Sequence, residues 1–179
     1  MQANEIVARW LEVIAETADA HAAYLSNARW TTIATGALIK VGLEASAGQK
    51  LRAAARGFAD PEYGRSEYLT LDVSIYDQAT WGPPLFIAEH ENAADLEKIQ
   101  YCAWKLLTTQ AKRRVLVAYY GRKYTYEDLI EGVREVARAN PGQTAPRDLI
   151  VIAAPWGDRP RSNEVLTASF VSAIVGELG

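Results

Sequence analysis

Residues that form disulfides and zinc sites are scarce in this sequence. Its 179 residues include one cysteine, Cys102, and two histidines, His21 and His90. A single cysteine forms no internal disulfide, which favours a reducing compartment, and we expect a cytoplasmic protein. Because structural zinc sites take four Cys or His ligands, the sequence argues against such a site. Any bound metal ion would be held mainly by oxygen atoms.

A long apolar run and a net positive charge are also missing. No apolar run reaches the roughly 18–20 residues that span a bilayer, and the chain begins with polar residues, so we expect neither a membrane partner nor a signal peptide. The net charge is −3 and the isoelectric point is about 5.5, whereas nucleic-acid-binding proteins usually present a basic face. Three basic clusters either converge on a groove or remain separate, solvated charges. These clusters are Lys112-Arg113-Arg114, Arg122-Lys123 and Arg159 with Arg161.

The remaining composition is that of an ordinary globular protein. Apolar residues make up 49% of the chain and charged residues 23%, and a chain of this length suits one domain. We expect a single domain, 1–179, with a helical N-terminal part (1–48), a core at about 49–156 and a C-terminal helix (163–177).

Apolar residues recur at three- to four-residue spacing in five segments, which predicts helices. Gly36 and Gly42 make a continuous helix at 28–46 less certain to form. Thr125 is placed to cap the helix at 126–139, and Asn140 ends it. These segments are 3–25, 28–46, 93–109, 126–139 and 163–177.

Strands are predicted where the periodicity changes to two. Residues 68–76 alternate, with Leu69, Leu71, Val73 and Ile75 on one face and Thr70, Asp72, Ser74 and Tyr76 on the other, which indicates a half-buried strand. A turn-rich loop leads to a strand at 85–91, so the two form a hairpin. The apolar runs at 114–120 and 149–154 indicate further strands. Residues 49–57 are either a short strand or a helix extension, and 60–64 a turn. The fold class is α/β, with a mixed central β-sheet flanked by helices.

Acidic side chains gather where the two hairpin strands meet. Glu89 and Glu91 lie two residues apart and project to the same side of their strand, while His90 points to the opposite side and suits a core or surface position. Antiparallel pairing brings Asp72 close to Glu89. Carboxylates on a buried strand repel each other and are costly to desolvate, so they need a cation or several hydrogen bonds to offset that cost. They would suit Mg²⁺ or Mn²⁺. Alternatively, the acids are pairs with Lys105 or an arginine at a solvated strand end, and Asp72 caps a turn.

The spacing and setting of these acids resemble the PD-(D/E)XK nuclease superfamily, which includes restriction endonucleases. Asp72 is followed 17 residues later by Glu89-x-Glu91 at the end of an apolar strand, and then by an amphipathic helix and another apolar strand. The resemblance covers about 67–120. It implies a restriction-endonuclease-like αβββαβ core, Mg²⁺ or Mn²⁺ bound by Asp72 and Glu89, and hydrolysis of DNA. Glu91 stands where the family has lysine, as in its E-x-E members, and would be either the general base or a further metal ligand.

Three further residues are compared with the family pattern. Lys105 lies on the following helix, where some members carry the cation that stabilises charge on the phosphate; alternatively it only anchors the helix. Gln100-x-x-x-Trp104 is similar to the Q-x-x-x-Y motif of the exonuclease branch, with Trp in place of Tyr. Glu44 is the nearest match to a glutamate that many members place on the helix before the sheet.

Two other functional hypotheses remain. An inactive nuclease-like scaffold that binds nucleic acid or protein is favoured by the acidic isoelectric point and by the missing lysine. Its candidate interface residues are Trp81, Tyr119, Tyr120, Tyr124 and Trp156. The other hypothesis is an oligomeric structural protein of unrelated fold. A homodimer through the N-terminal helix is compatible with either fold.

Overall fold

The computed structural model describes residues 1–48, 50–55, 70–80, 82–121, 123–140, 149–157 and 160–175. Among these residues, no helix combines the length and the apolar character needed to cross a lipid bilayer. The elements, in chain order, are α1 (Ala3–Glu16), α2 (Ala20–Ala23), α3 (Asn27–Ala45), β1 (Leu51–Ala55), β2 (Val73–Asp77), β3 (Phe86–His90), α4 (Leu96–Thr108), β4 (Arg114–Tyr120), α5 (Tyr126–Ala139), β5 (Leu149–Pro155), α6 (Asn163–Ala168) and β6 (Val171–Val175).

The strands form one mixed six-stranded sheet in the order β1-β2-β3-β4-β5-β6. β1, β2 and β3 are an antiparallel meander, whereas β3, β4 and β5 run parallel and β6 is antiparallel to β5. α4 and α5 provide the two crossovers that parallel neighbours require. The predicted α/β class, the mixed sheet flanked by helices and the β2–β3 hairpin are confirmed.

Helices cover both faces of the sheet and enclose two apolar layers. One layer lies under α1, α2, α3 and α6 and contains Trp10, Trp30 and Phe86. The other lies under α4 and α5 and contains Ile87 and Ala103. Burying one large apolar side chain contributes roughly 1.5–3 kcal/mol. Because strand residues alternate, neighbouring positions of β3 reach opposite layers.

The helix predicted at 3–25 is confirmed over most of its length as α1 and α2, but its continuity is wrong, since it breaks at residues 17–19. Thr17 is extended, with ψ 124°, and Asp19 is left-handed, with φ 52°. The broken end is stabilised from outside, because the Asn163 side-chain amide donates to the carbonyls of Ala15 and Thr17 at 3.0 and 2.8 Å. The buried residues of α1, including Trp10, pack within the same chain. A dimer through α1 would therefore have to use its charged face.

The sequence left 49–57 open between helix and strand, and residues 51–55 form β1. The helix predicted at 28–46 is confirmed as α3, which continues through both of its glycines. Gly42 allows α3 to approach the sheet closely, since a Cβ there would lie 2.8 Å from side-chain atoms of Ile75 and Phe86. The turn predicted at 60–64 lies outside the described residues.

The strand predicted at 68–76 begins later than expected, and its start at 68–69 lies outside the described residues. Thr70 has a left-handed φ of 60°, so the alternation does not extend back from β2. Leu71 therefore packs in the layer under α4 instead of joining Val73 and Ile75. β2 is also not half-buried, because Ser74, on the predicted polar face, is fully buried.

The C-terminal helix predicted at 163–177 is wrong over its second half. α6 ends at Ala168, and residues 171–175 pair with β5 as the edge strand β6. Branched side chains such as Val171, Ile174 and Val175 suit a strand. Without β6, the edge of β5 would be unpaired, and an apolar strand edge is a strong template for pairing. Tertiary pairing therefore outweighs the helical spacing.

Candidate carboxylate–lysine site

Asp72 directly precedes β2, and Glu89 lies on β3, the antiparallel neighbour of β2. Val73 pairs with Ala88, so the register continued by one residue places Asp72 opposite Glu89. The Asp72 carboxylate accepts the backbone N–H of His90 at 2.9 Å. That hydrogen bond holds the carboxylate against the end of β3. The two acids that the hairpin prediction paired are therefore neighbours.

Lys105 of α4 completes a nearly buried ion pair. Its Nζ lies 2.8 Å from Oε2 of Glu89, and their side chains are 14% and 3% exposed. The same ammonium donates to the carbonyl of Thr70 at 3.2 Å. The apolar stripe of α4, including Ala103 and Leu106, fixes the helix on the sheet and so directs Lys105 towards β3. The pairing of Glu89 with Lys105 is thus present, but at a buried strand end.

Burial makes the charge of Glu89 costly despite this lysine. Desolvation, together with the negative charge of Asp72, raises the pKa of Glu89 to about 7, while Lys105 acts in the opposite direction. Oε1 of Glu89 is buried, and no described residue donates a hydrogen bond to it. A second cation next to this carboxylate would therefore be strongly favourable.

Lys105 stays charged near neutral pH. Burial lowers the pKa of Lys105, but the hydrogen bond to Glu89 and the charges of Glu89 and Asp72 outweigh burial, so that its pKa is raised above the usual value. The site therefore combines two acidic groups with a fixed positive charge.

Glu91 follows β3 and is engaged beside the pair. Its Oε1 accepts the backbone N–H of Ala93 at 2.7 Å, and its Oε2 lies 3.9 Å from Sγ of Cys102. Within the described residues, no group of three Asp, Glu, His or Cys side chains is arranged to hold a metal ion. Of the three acids predicted to meet, Asp72 and Glu89 are therefore close together, whereas the side chain of Glu91 is turned towards its own loop and α4.

Cys102 was not predicted as part of the site. Burial and the nearby charge of Glu89 raise the pKa of the Cys102 thiol well above its ordinary value, so it is protonated and unreactive. Cys102 precedes Lys105 by three residues, which places both on one face of α4. That spacing was the available signal in the sequence.

Two carboxylates close together supply the oxygen atoms that hard divalent cations prefer as ligands. Mg²⁺ is commonly bound through one or two carboxylates and completes its shell with water and substrate phosphate oxygens. Asp72 and Glu89 supply two carboxylates, and Oε1 of Glu89, to which none of the described residues donates, is the atom that would bind such an ion.

His90 lies on the other face of β3, as predicted, and belongs to the core. Its Nε2 lies 2.8 Å from the hydroxyl of Tyr119, to which the indole N–H of Trp30 also donates. Burial lowers the pKa of His90 to about 3, so the ring is neutral at ordinary pH. The imidazole links β3, β4 and α3.

Two of the family-derived candidates make contacts between helices. Glu44 of α3 forms a 2.8 Å ion pair with Arg9 of α1, and the hydrogen bond from Arg9 lowers the pKa of Glu44. The Gln100 amide donates to the carbonyl of Gly132 in α5 at 3.3 Å. These partners give both residues a structural role.

One member of the basic clusters, Arg114, is not available for an exposed groove. Arg114 is buried, and its guanidinium donates to the carbonyls of Leu106 and Thr109 near the end of α4 at 2.9 and 3.0 Å. Arg122 and Arg159 lie outside the described residues. Arg114 is therefore a structural residue rather than part of an exposed cluster.

The exposed aromatic residues differ from those predicted. Tyr119 is fully buried, Tyr124 donates its hydroxyl to the carbonyl of Tyr119, and Trp81 lies outside the described residues. Tyr101 and Trp104 of α4 are 58% and 44% exposed. Their rings stack with centroids 5.8 Å apart, and Nζ of Lys105 lies 5.4 Å from the Tyr101 ring centroid. An aromatic platform, Tyr101 with Trp104, thus borders the carboxylate–lysine site.

No protein-family model, curated protein or solved structure matches this chain.

Proposed function

We propose that the protein is a metal-dependent nuclease that hydrolyses phosphodiester bonds in DNA. The observation that carries the proposal is the buried pair of Asp72 and Glu89 beside Lys105. The element order α3-β1-β2-β3-α4-β4 supports it. That order is compatible with the αβββαβ core that the resemblance to restriction endonucleases implies, with Asp72 just before the second strand and Glu89 in the third.

Each residue has a distinct role in this proposal. Asp72 and Glu89 would hold Mg²⁺ or Mn²⁺. Glu91, which is turned towards Ala93 and Cys102, would bind the ion or accept the proton of the attacking water only after its side chain rotates. A bound divalent ion polarises the phosphate and lowers the pKa of coordinated water. Lys105 keeps a fixed positive charge where negative charge develops on the phosphate, and it needs no reorganisation to do so.

The aromatic platform favours nucleic acid as the substrate. Exposed rings stack on unpaired bases, and such stacking contributes about 1–3 kcal/mol per base. Because Lys105 contacts both Tyr101 and Glu89, a base on the platform would lie next to the carboxylate pair. Single-stranded DNA, or a duplex opened at the site, is the expected substrate.

A cleavage assay with plasmid and single-stranded DNA tests the proposal. We expect nicking or degradation with Mg²⁺ or Mn²⁺ and none with EDTA. Asp72→Asn and Glu89→Gln should each lower the rate by roughly 100-fold or more, about 2.7 kcal/mol of transition-state stabilisation. Glu131→Gln, which changes an exposed carboxylate of α5, is the matched control. No cleavage with either metal ion would remove the enzyme proposal.

The second candidate is a non-catalytic nucleic-acid-binding module on the same scaffold. It is favoured because Lys105 already neutralises Glu89 and no three-residue metal group is formed among the described residues. Calorimetric titration with Mn²⁺ separates the two functions. A nuclease site binds the ion, and Asp72→Asn abolishes the heat of binding. A module binds single-stranded DNA without metal and loses affinity in Trp104→Ala, but not in Leu25→Ala, which removes another exposed apolar side chain.

A further inference from the structure

A pocket of about 550 Å³ opens at the other end of β2 from Asp72. Its volume lies within the range of about 300–1,000 Å³ that is typical of small-molecule sites. Gly82 and Pro84 of the β2–β3 loop form one side. The polar lining comes from Lys50, Arg52, Tyr76 and Gln78.

Strand pairing directs these four polar side chains to one face of the sheet. Lys50 and Arg52 lie two residues apart, so they share a side. Arg52 pairs with Tyr76, and the backbone N–H of Gln78 donates to the carbonyl of Lys50 at 3.0 Å. Directly opposed residues have Cβ atoms about 4.5–5.5 Å apart. Two cations, a phenol and an amide therefore form a compact group of donors.

The acid in the lining, Asp77, is held by backbone groups rather than by the two cations. The Asp77 carboxylate accepts the backbone N–H groups of Lys50 and Ala79, both at 3.0 Å, and Asp77 is buried. Alternation along β2 also directs it away from the face that carries Tyr76. Lys50 and Arg52 are exposed, and within the described part of the chain neither side chain has an ion-pair partner. Among the described lining residues, two cations face one acid, so positive charge is in excess.

We propose that this pocket binds a phosphate group. The planar guanidinium of Arg52 donates two parallel hydrogen bonds to phosphate oxygens, and Lys50 adds a point charge. Tyr76 and Gln78 supply neutral donors from the facing strand. The assignment stands on the pocket alone and does not require that the protein be a nuclease.

The phosphate comes either from a free nucleotide or from a polynucleotide backbone. Asp72 directly precedes β2 and Tyr76 lies near its other end, four residues further along, which corresponds to about 13 Å of extended chain. One nucleic-acid strand is long enough to reach both places. If the proposed function holds, the pocket would bind a backbone phosphate of the substrate strand beside the site of cleavage.

Binding measurements on the full chain in EDTA test the assignment, since no metal-dependent reaction then contributes. The probes are inorganic phosphate, adenosine monophosphate and a labelled 12-nucleotide single strand. Calorimetry measures binding of the two small molecules, and fluorescence anisotropy measures binding of the labelled strand. We expect Arg52→Ala and Lys50→Ala to weaken binding at least tenfold. Lys40→Ala and Arg134→Ala remove exposed charges elsewhere and should leave the affinity unchanged. Thermal melting checks that each variant is folded, and Arg52→Lys should fall between wild type and Arg52→Ala.

The probes also identify the source of the phosphate. Adenosine monophosphate that binds and displaces the oligonucleotide supports a free-nucleotide site, whereas Arg52-dependent binding of the oligonucleotide alone supports a backbone site. The proposal is overturned if no probe binds, or if Arg52→Ala behaves like Arg134→Ala. Repeating the measurement in Glu89→Gln keeps this outcome separate from any failure of the nuclease proposal.

Discussion

Glu89 and His90 are successive residues whose protonation depends on folding in opposite ways. Burial raises the pKa of Glu89 from 4.5 to about 7, so between these values the folded protein holds a proton that the unfolded chain has released. Stability then falls as the pH rises. Burial lowers the pKa of His90 from 6.5 to about 3, and stability rises with pH over that window. Each effect is at most about 1.4 kcal/mol per pH unit.

These two effects should cancel between pH 4.5 and 6.5 in the wild type, and single substitutions should separate them. In Glu89→Gln, the free energy of unfolding should increase with pH over this range relative to wild type. In His90→Gln, it should decrease from pH 4.5 towards 7. Urea denaturation in EDTA at half-unit pH steps measures both. Variant curves that run parallel to the wild-type curve would contradict the assigned pKa shifts.

The sequence pattern predicted part of the carboxylate–lysine site, whereas the other contacts depend on how the side chains are buried in the folded protein. Asp72 and Glu89 could be paired because strand alternation and a hairpin determine their faces. The role of Lys105 could be given only as an alternative, since a helix position does not show which way a long side chain reaches. Glu91 follows the end of β3, so its direction depends on the loop and not on strand alternation. The exposure of Tyr101 and Trp104 was missed, although the apolar stripe of α4 leaves both positions facing outward.

Elements with both strong periodicity and clear end signals were predicted best. β4 and α5 match the predicted bounds at 114–120 and 126–139, and α5 begins with the reciprocal hydrogen bonds of Thr125 and Asp128. The two errors in helix prediction, at 3–25 and 163–177, occur where distant partners decide the conformation. Asn163 stabilises the end of α1 where the helix breaks, and residues 171–175 pair with the otherwise open edge of β5. Neither partner is visible in the local sequence.

Two helical glycines provide an element-scale test of packing. Alanine favours a helix over glycine by about 1 kcal/mol, but overpacking a core costs about 1–3 kcal/mol. Gly42→Ala places a methyl group 2.8 Å from Ile75 and Phe86, so we expect a lower melting temperature. Gly132→Ala meets only the flexible ends of Leu96 and Gln100 at 2.9 and 3.2 Å. Its melting temperature should be unchanged or higher, and a larger loss than in Gly42→Ala would refute the packing account.

At the scale of the whole molecule, β6 protects one side of the sheet. Removal of residues 171–179 would retain Phe170 in the core but leave the apolar strand β5 unpaired along one edge, so we expect a lower melting temperature and concentration-dependent association. Size-exclusion chromatography and thermal melting measure these effects. Ile174→Lys, which changes an exposed side chain of the same strand, should shift stability by no more than about 0.5 kcal/mol. A truncated chain that stays monomeric and as stable as the full chain would show that β6 is not needed to protect the edge of β5.

The opposite environments of Glu89 and His90 also restrict how β3 can align with its neighbours. A slip of one residue would turn every side chain of the strand to the other face. The carboxylate would then enter the aromatic layer around Trp30 and Tyr119, and the imidazole would meet the ammonium of Lys105. Both exchanges bury a polar group without a suitable partner. The residues that give this strand its chemistry therefore also select its correct alignment as the sheet assembles.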